Sequence, residues 1–257
     1  MSTINLGTLA VDRTIPPPSL GGRITNSNRN DVYQFELQEA MSFNLDLSQI
    51  ASGSNLNVAL GLDRNQNNRI DAGEEVVRSS NSGNQNEVIN VRSLEAGHYL
   101  ININRSSGSD SNYLLRLSTT GRGNGSVGIS NLLAQQEDFG TLRNTNVNRR
   151  DYHVDDKDTA DVFKFTLDNT SNVRVLLTGL TEDADVRLIR DRNNNRIIDA
   201  TEFNGQPNGE ILGVGYAGGT SDDQISMRLG RGTYFVQVFQ FAEGRIDYDL
   251  SVQVRPA

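Results

Sequence analysis

Two twelve-residue segments, beginning at Asp63 and Asp191, carry oxygen-bearing side chains at alternating positions. Each has Asp at position 1, Asn at positions 3 and 5, Asp at position 9 and Glu at position 12. A hard cation such as Ca²⁺ takes about six to eight oxygen ligands, and a coiled loop of this length aims alternate side chains inward and closes with a bidentate Glu. We therefore predict one Ca²⁺ site in each segment, with a backbone carbonyl as the ligand at position 7. The predicted ligands are Asp63, Asn65, Asn67, Arg69, Asp71 and Glu74 in the first loop, and Asp191, Asn193, Asn195, Ile197, Asp199 and Glu202 in the second.

Positions 6 and 8 of the loops lead to two further expectations. Position 6 is normally Gly because the chain turns there with a positive φ, but these loops carry Asn68 and Arg196. Asn tolerates that conformation, whereas Arg196 should cost about 1 kcal/mol. At position 8, Ile70 and Ile198 are expected to anchor each loop to the core.

The alternative interpretation of both segments is a polar hairpin loop that binds no cation, because Asn and Asp are common in turns. Two full-length matches at corresponding places in the chain favour the cation sites. Each loop offers three carboxylates and two neutral amides, which predicts modest affinity, about micromolar to millimolar. No flanking helices are predicted, so we expect each loop to lie between strands.

The chain contains an internal duplication. Residues 31–37 (DVYQFEL) match residues 161–167 (DVFKFTL), and the two loops follow them in the same order. A Gly/Ser-rich stretch lies between the copies and has the composition of a flexible linker. The predicted organisation is a first domain at 1–120, a linker at 121–130 and a second domain at 131–257.

Strict alternation indicates β-strands in both copies: Tyr33, Phe35 and Leu37 point one way, and the polar residues between them point the other. Only residues 131–137 have a helical pattern. Many short strands separated by Gly, Asn and Asp predict an all-β protein with two tandem antiparallel, jelly-roll-like β-sandwiches. The other predicted strands are residues 42–47, 57–62, 88–91, 98–104, 113–118, 173–178, 185–190, 224–229, 233–240 and 248–254.

Composition excludes several classes of function. The net charge is -8 and the chain has no Cys and only two His, which argues against nucleic-acid binding, disulfides and thiolate zinc sites. No membrane span or signal peptide is evident in the sequence. His98 and His153 do not lie near a nucleophile pattern, so we predict a protein that is not an enzyme.

Three further groups of residues have a functional and a structural interpretation. The acidic residues within 155–161 could form another cation site, although a solvated acidic turn is the simpler interpretation. Similar surface carboxylates are expected elsewhere in the second copy. Four tyrosines at repeated positions could stack on sugars, but alternation favours sheet packing. The surface carboxylates are Asp183, Asp185, Asp222 and Asp223, and the tyrosines are Tyr99, Tyr113, Tyr234 and Tyr248.

The order of motifs in both copies resembles the bacterial pre-peptidase C-terminal domain family. The motifs are, in order, Asp-x-[Tyr/Phe]-x-Phe-x-Leu, an Asp/Asn-rich loop, Leu-x-x-Gly-x-Tyr and a final Tyr-containing strand. Apart from the two loops described above, they lie at residues 31–37, 94–99 and 113–115 in the first copy, and at 161–167, 229–234 and 248–250 in the second. The resemblance implies a jelly-roll β-sandwich, usually an accessory module of secreted bacterial proteases and surface proteins. It also implies that calcium often stabilises the fold and that some relatives bind collagen or polysaccharide.

The sequence therefore predicts a calcium-binding, structural or adhesive module that is extracellular or on the cell surface. The first alternative is a module that binds a polysaccharide or a collagen-like protein, with calcium shaping the surface. The second is an intracellular calcium buffer or sensor. The only cofactor expected is Ca²⁺.

Overall fold

The computed structural model describes residues 2–15, 20–121, 128–199 and 209–257. The chain divides into two compact units, Met1–Ala134 and Gln135–Ala257. Both units are built from β-strands, and no helix occurs among the described residues. The predicted all-β class with two sandwich-like domains is confirmed. No described helix has the length and apolar character needed to cross a membrane.

The described residues of the first unit form ten strands in two sheets. One sheet has the order β1-β4-β9-β6-β7, and the other has the order β2-β10-β5-β8, with β3 also paired to β10. The strands are β1 (Ser2–Thr8), β2 (Thr14–Ile15), β3 (Gly21–Ile24), β4 (Asn30–Leu37), β5 (Met41–Ser48), β6 (Ser54–Leu62), β7 (Glu75–Ser79), β8 (Glu87–Leu94), β9 (Gly97–Gly108) and β10 (Ser111–Thr120).

The second unit has a corresponding arrangement. Its sheets have the orders β11-β13-β18-β15-β16 and β12-β19-β14-β17. In both units the first strand of the five-stranded path pairs in parallel with its neighbour, and the other pairs are antiparallel. The strands are β11 (Glu137–Thr141), β12 (Thr145–Val154), β13 (Ala160–Leu167), β14 (Ser171–Thr178), β15 (Ala184–Ile189), β16 (Ile211–Gly215), β17 (Asp223–Leu229), β18 (Gly232–Gln240) and β19 (Ile246–Pro256).

The core of each unit lies between its two sheets and is formed by the alternating apolar residues. Tyr33, Phe35 and Leu37 are all buried, as the two-residue period predicts. Phe35 on β4 stacks on Phe43 of β5 with ring centroids 5.0 Å apart, which joins the two sheets. In the second unit, Phe163 on β13 contacts Tyr152 on β12 at 5.5 Å. All the strands predicted from alternation are confirmed.

The strands missed by the sequence analysis lie mainly at sheet edges and carry little apolar signal. They are β1, β2, β3, β7, β11, β12 and β16. Edge strands such as β7 bury only part of one face, so their residues do not alternate clearly between apolar and polar.

The predicted helix at residues 131–137 is wrong. Leu132 and Leu133 are both buried, while Glu137 begins β11. The backbone N–H of Gln136 donates to the Val162 carbonyl at 3.0 Å, so the segment joins the edge of a sheet. A helix of this length is marginal without packing, and strand pairing overrides the local preference.

The predicted linker at 121–130 is described only at its ends, since residues 122–127 lie outside the described residues. The end at Gly121 is held by an N–H bond of 2.9 Å to the Asp12 carboxylate. On the other side, the Thr120 hydroxyl donates to the Gly128 carbonyl at 2.9 Å. The described ends are therefore tied to the first unit.

A buried aspartate–tyrosine hydrogen bond connects the two sheets in each unit. Tyr113 on β10 donates to Asp31 on β4 at 2.8 Å, and Tyr248 on β19 donates to Asp161 on β13. Burial raises the pKa of Asp161 to about 6. The Tyr248 hydroxyl therefore donates a hydrogen bond to a carboxylate, that of Asp161, which has little access to water.

We expect Tyr248→Phe to lower the free energy of unfolding of the second unit by about 1–3 kcal/mol, because it leaves a buried carboxylate oxygen without its donor. Urea unfolding at pH 7 measures this loss. Tyr216→Phe is the matched control, since Tyr216 is 75% exposed. Equal unfolding midpoints for the two variants would contradict the structural role of this bond.

Candidate metal centre

The first predicted loop connects two neighbouring antiparallel strands, β6 and β7. Its start is fixed because the N–H of Leu62 donates to the Glu74 carbonyl and the N–H of Asp63 donates to the His98 carbonyl, both at 2.9 Å. The loop therefore leaves a rigid sheet edge and returns to it. This placement agrees with the expectation of a loop between strands.

The carboxylate of Asp63 organises the beginning of this loop. Its Oδ1 accepts the N–H of Asn67 at 3.1 Å and its Oδ2 accepts the N–H of Asn68 at 3.0 Å. The side-chain oxygens of Asn65 and Asn67 each accept the N–H two residues on, from Asn67 at 3.1 Å and from Arg69 at 2.9 Å. An amide oxygen has two lone pairs, so each of these can also contact a cation.

Glu74 closes the loop. Its Oε1 accepts the N–H of Arg64 at 3.0 Å, and its Oε2 accepts the N–H of Asp71 at 3.0 Å. Both Glu74 and Asp63 are buried, with 6% and 5% exposure. Two carboxylates are thus held out of water at the two ends of one loop.

Asp71 lies on the exposed side of the loop and accepts side-chain amide donors. The Nδ2 atoms of Asn65 and Asn67 approach its Oδ2 at 3.0 and 2.7 Å. The bond from Asn65, followed by the bond from Asn67, lowers the pKa of Asp71. These bonds keep the carboxylate in its charged form, which is the form that binds a cation.

The backbone turns as expected at position 6. Asn68 has φ 61° and Arg196 has φ 63°, and position 4 is also left-handed at Gln66 and Asn194. The Arg196 guanidinium carbon lies 5.1 Å from the centroid of the Phe235 ring. A cation–π contact of this kind is worth about 0.5–1 kcal/mol, which offsets much of the strain expected at Arg196.

The anchoring role predicted for position 8 is confirmed fully in the second loop and partly in the first. Ile198 is completely buried, whereas Ile70 is half-buried. Ile70 packs against Gly61, where an added Cβ would lie 2.7 Å from the isoleucine Cγ1. Gly61 therefore makes room for Ile70.

The second predicted loop follows β15 and repeats the internal pattern. Asp191 Oδ2 accepts the N–H of Arg196 at 3.0 Å, and Asn193 Nδ2 donates to Asp199 at 2.9 Å. The oxygens of Asn193 and Asn195 accept the N–H two residues on, at 3.0 and 2.7 Å. Glu202, predicted at position 12, lies outside the described residues.

A residue that the sequence analysis missed, Glu210, contacts the second loop. Its Oε1 accepts the N–H of Arg192 at 2.7 Å, and it is 2% exposed. Burial first, and then the charges of Asp191 and Asp199 among other causes, raises the pKa of Glu210. The sequence signal was the pair Gly-Glu directly before β16, which matches Gly73-Glu74 directly before β7.

The donor atoms fit a hard cation in chemical type: carboxylate, amide and carbonyl oxygens without a thiolate or an imidazole. In the described residues, however, no group of three or more Asp, Glu or His side chains is gathered closely enough to hold a metal ion by itself. Amide groups of Asn65 and Asn67 stand against Asp71 instead. Cation binding therefore requires these side chains to turn their oxygens inward.

The acidic residues within 155–161 have structural roles. Asp155 accepts the N–H of Lys157 at 2.7 Å and that of Asp158 at 3.0 Å, which closes a tight turn. Asp156 accepts the Gly244 N–H at 3.1 Å, and Asp161 accepts the Tyr248 hydroxyl. Each of these three carboxylates therefore accepts hydrogen bonds within the unit.

The expectation that Asp185 and Asp223 are surface carboxylates is wrong, because both are buried. Asp223 lies at the start of edge strand β17 beside Gly215, where an added Cβ would be 2.9 Å from the Cβ of the aspartate. Burial, followed by the charges of Asp183 and Asp223, raises the pKa of Asp185 to about 7.

Among the other candidates for chemistry, the four tyrosines have packing roles, whereas the two histidines are not buried. The four repeated tyrosines are at most 2% exposed, so they lie in the cores and present no sugar-stacking face. His153 lies within strand β12, paired with Asp247. His98 faces a cleft of about 360 Å³ beside the first loop, whose lining includes Asp63 and Glu36.

Comparison with known proteins gives one family match. Residues 159–240, from β13 to β18 and including the second loop, match the model of the bacterial pre-peptidase C-terminal domain. The predicted resemblance is confirmed for this part of the second unit. No curated protein sequence matches the chain.

Solved structures give distant likenesses. The pre-peptidase C-terminal domain of collagenase from Bacillus anthracis is 18% identical with a TM-score of 0.34, over 46% of this chain and 95% of that chain. The human MASP-1/3 CUB1-EGF-CUB2 fragment is 8% identical with a TM-score of 0.28, over 91% and 99%. A chain of Sulfolobus turreted icosahedral virus is 13% identical with a TM-score of 0.30, over 95% and 90%.

The raised pKa of Asp185 predicts that stability changes with pH. Because the folded-state pKa of about 7 exceeds the unfolded value of about 4, the contribution of Asp185 is fully present below about pH 4 and is lost as the pH rises through 7. We expect the second unit to lose about 2–4 kcal/mol between pH 4 and 8 from this group, and Asp185→Asn to remove that part of the slope. Urea unfolding in EDTA at several pH values measures it. Parallel pH profiles of the variant and the wild type would contradict the assignment.

Proposed function

We propose that each unit is a non-enzymatic β-sandwich module that binds one Ca²⁺ through its Asp/Asn loop. The observation that carries the proposal is the burial of Asp63 and Glu74 at the two ends of one strand-anchored loop. The hydrogen-bond pattern is repeated in the second loop, and the same loop positions, 4 and 6, are left-handed, which supports the same role for both loops. A polar hairpin without a ligand gains nothing from burying two carboxylates.

Calcium stabilises such a module by binding the folded state alone. The gain is RT ln(1 + [Ca²⁺]/Kd), about 2.7 kcal/mol per site at a hundredfold excess over Kd. With three carboxylates and two amides per loop, we expect a Kd of about micromolar to millimolar. Folding then responds to the calcium concentrations found outside cells.

The family match supports an extracellular structural or adhesive role. Pre-peptidase C-terminal domains are non-catalytic parts of secreted bacterial peptidases, and the match over residues 159–240 includes the second loop. We propose that the first unit is a diverged copy of the same domain, because its sheets have the corresponding strand order and its loop lies at the corresponding place.

A second candidate is a module that binds a polysaccharide or a collagen-like protein. The cleft beside the first loop favours it, since Gln66 and Asn68 of the loop form part of its wall. Calcium that orders the loop would then shape the cleft. The remaining alternative, an intracellular buffer or sensor, is distinguished by its response to calcium.

We expect calorimetric titration of the EDTA-treated protein to show two calcium sites. Asp63→Ala should remove one and Asp191→Ala the other, because each variant loses the carboxylate at position 1. Asp222→Ala is the matched control, since Asp222 is an exposed aspartate outside both loops. An absence of binding heat, together with a melting temperature that does not change when calcium is added, would show that the loops are polar hairpins.

A scaffold should stiffen on binding calcium without exposing apolar surface, whereas a sensor opens a groove. We expect calcium to raise the melting temperature and leave the fluorescence of an added apolar dye unchanged. The same titration of Asp63→Ala,Asp191→Ala gives the baseline. A calcium-dependent rise in dye fluorescence would favour the sensor.

A further inference from the structure

We propose that Glu210, and not Glu202, supplies the closing carboxylate of the second calcium site, which makes that loop discontinuous in sequence. The inference rests on the proposed calcium binding and names one residue of the second site. Counting twelve residues from Asp191 leads to Glu202, but the geometry points to a residue eight positions later.

The backbone of Glu210 occupies the place that Glu74 has in the first unit. In the first loop, the residue before the initial aspartate, Leu62, donates its N–H to the Glu74 carbonyl at 2.9 Å. In the second, the corresponding residue, Arg190, donates to the Glu210 carbonyl at 2.7 Å. The two glutamates each immediately precede the return strand, β7 or β16.

The side chain of Glu210 also has the contacts of Glu74. Oε1 of each accepts the N–H of position 2 of its loop, from Arg64 at 3.0 Å and from Arg192 at 2.7 Å. In both units, the side chain of the arginine at position 2 donates to the carbonyl of the glycine that directly precedes the glutamate. These glycines, Gly73 and Gly209, have φ 85° and 87°.

Two buried oxygens at this place have no hydrogen-bond partner among the described residues: Oε2 of Glu210 and Oδ1 of Asp191. Glu210 is 2% exposed, so water does not compensate its carboxylate. Leaving charged oxygens buried and unpaired is costly, and a cation between them removes that cost. The first loop differs, because Oε2 of Glu74 accepts the Asp71 N–H at 3.0 Å.

The difference in spacing has a simple origin. Asp71 and Glu74 are three residues apart, whereas Asp199 and Glu210 are eleven apart, so the second loop has eight additional residues between its last two ligands. Lengthening a closed loop adds little entropic cost, since that cost grows only with the logarithm of length. The ligand chemistry is unchanged: a hard divalent cation that takes a bidentate carboxylate, as Ca²⁺ does.

The test compares Glu210→Gln with Glu202→Gln in the full chain, and Glu74→Gln is the matched change in the first loop. Calcium is titrated by calorimetry, and the calcium-induced rise in melting temperature is measured separately. We expect Glu210→Gln to lose the second site and keep the first, Glu74→Gln to do the reverse, and Glu202→Gln to retain both. Far-UV circular dichroism in EDTA checks that each variant folds.

Glu210→Asp provides a variant that keeps the charge. It shortens the side chain by one methylene, so we expect weaker binding at the second site with the first site unchanged. Loss of the second site in Glu202→Gln, or full retention in both Glu210 variants, would overturn the inference while leaving calcium binding intact. No calcium binding by the wild type would instead overturn the proposed function on which the inference rests.

Discussion

Packing of the two inward sheet faces against each other is the constraint on which the rest of each unit depends. Because side chains alternate along a strand, burying Tyr33, Phe35 and Leu37 determines the register of β4 and of the strands that pair with it. That register determines where β6 ends and β7 begins, and therefore where the first loop leaves the sheet. The two ends of the loop are held in place because the strands that carry them are packed against the core.

The two Asp/Asn loops, which leave the edges of these sheets, concentrate negative charge. Buried carboxylates such as Asp63 and Glu74 are held by backbone N–H groups, which fix their positions without neutralising their charge. In the second loop the compensation is less complete, since one buried oxygen each of Glu210 and Asp191 has no hydrogen-bond partner in the part of the chain that the structure describes. We propose that a cation bound between such groups relieves repulsion and burial cost together, which would link stability to calcium binding.

Much of this arrangement could be predicted from the sequence. Alternation located the central strands, and the ligand spacing predicted the left-handed turns at Asn68 and Arg196. What could not be predicted depends on contacts between distant parts of the chain. Glu210 lies outside the twelve-residue window, and the burial of Asp185 comes from neighbours that no local pattern reveals. The segment 131–137 shows the same limit, because strand pairing overrides a weak helical preference.

The two units share strand order and the spacing of their Asp/Asn loops, while the loops differ in length between the last two predicted ligands. Lengthening a closed loop adds little entropic cost, so such a difference is readily tolerated. Backbone hydrogen bonds from Arg190 and Arg192 hold Glu210 at the site regardless of how much chain precedes it. The proposed site is therefore defined by the sheet edge more than by the continuity of the loop.

Calcium binding by both loops is tested most directly by a crystal structure of the protein grown with millimolar calcium, with anomalous diffraction used to locate the ions. We expect one calcium ion in each loop, with Glu74 and Glu210 among the ligands at about 2.3–2.6 Å. Loops that contain only water at that calcium concentration, with Asn65 and Asn67 still donating to Asp71, would contradict it.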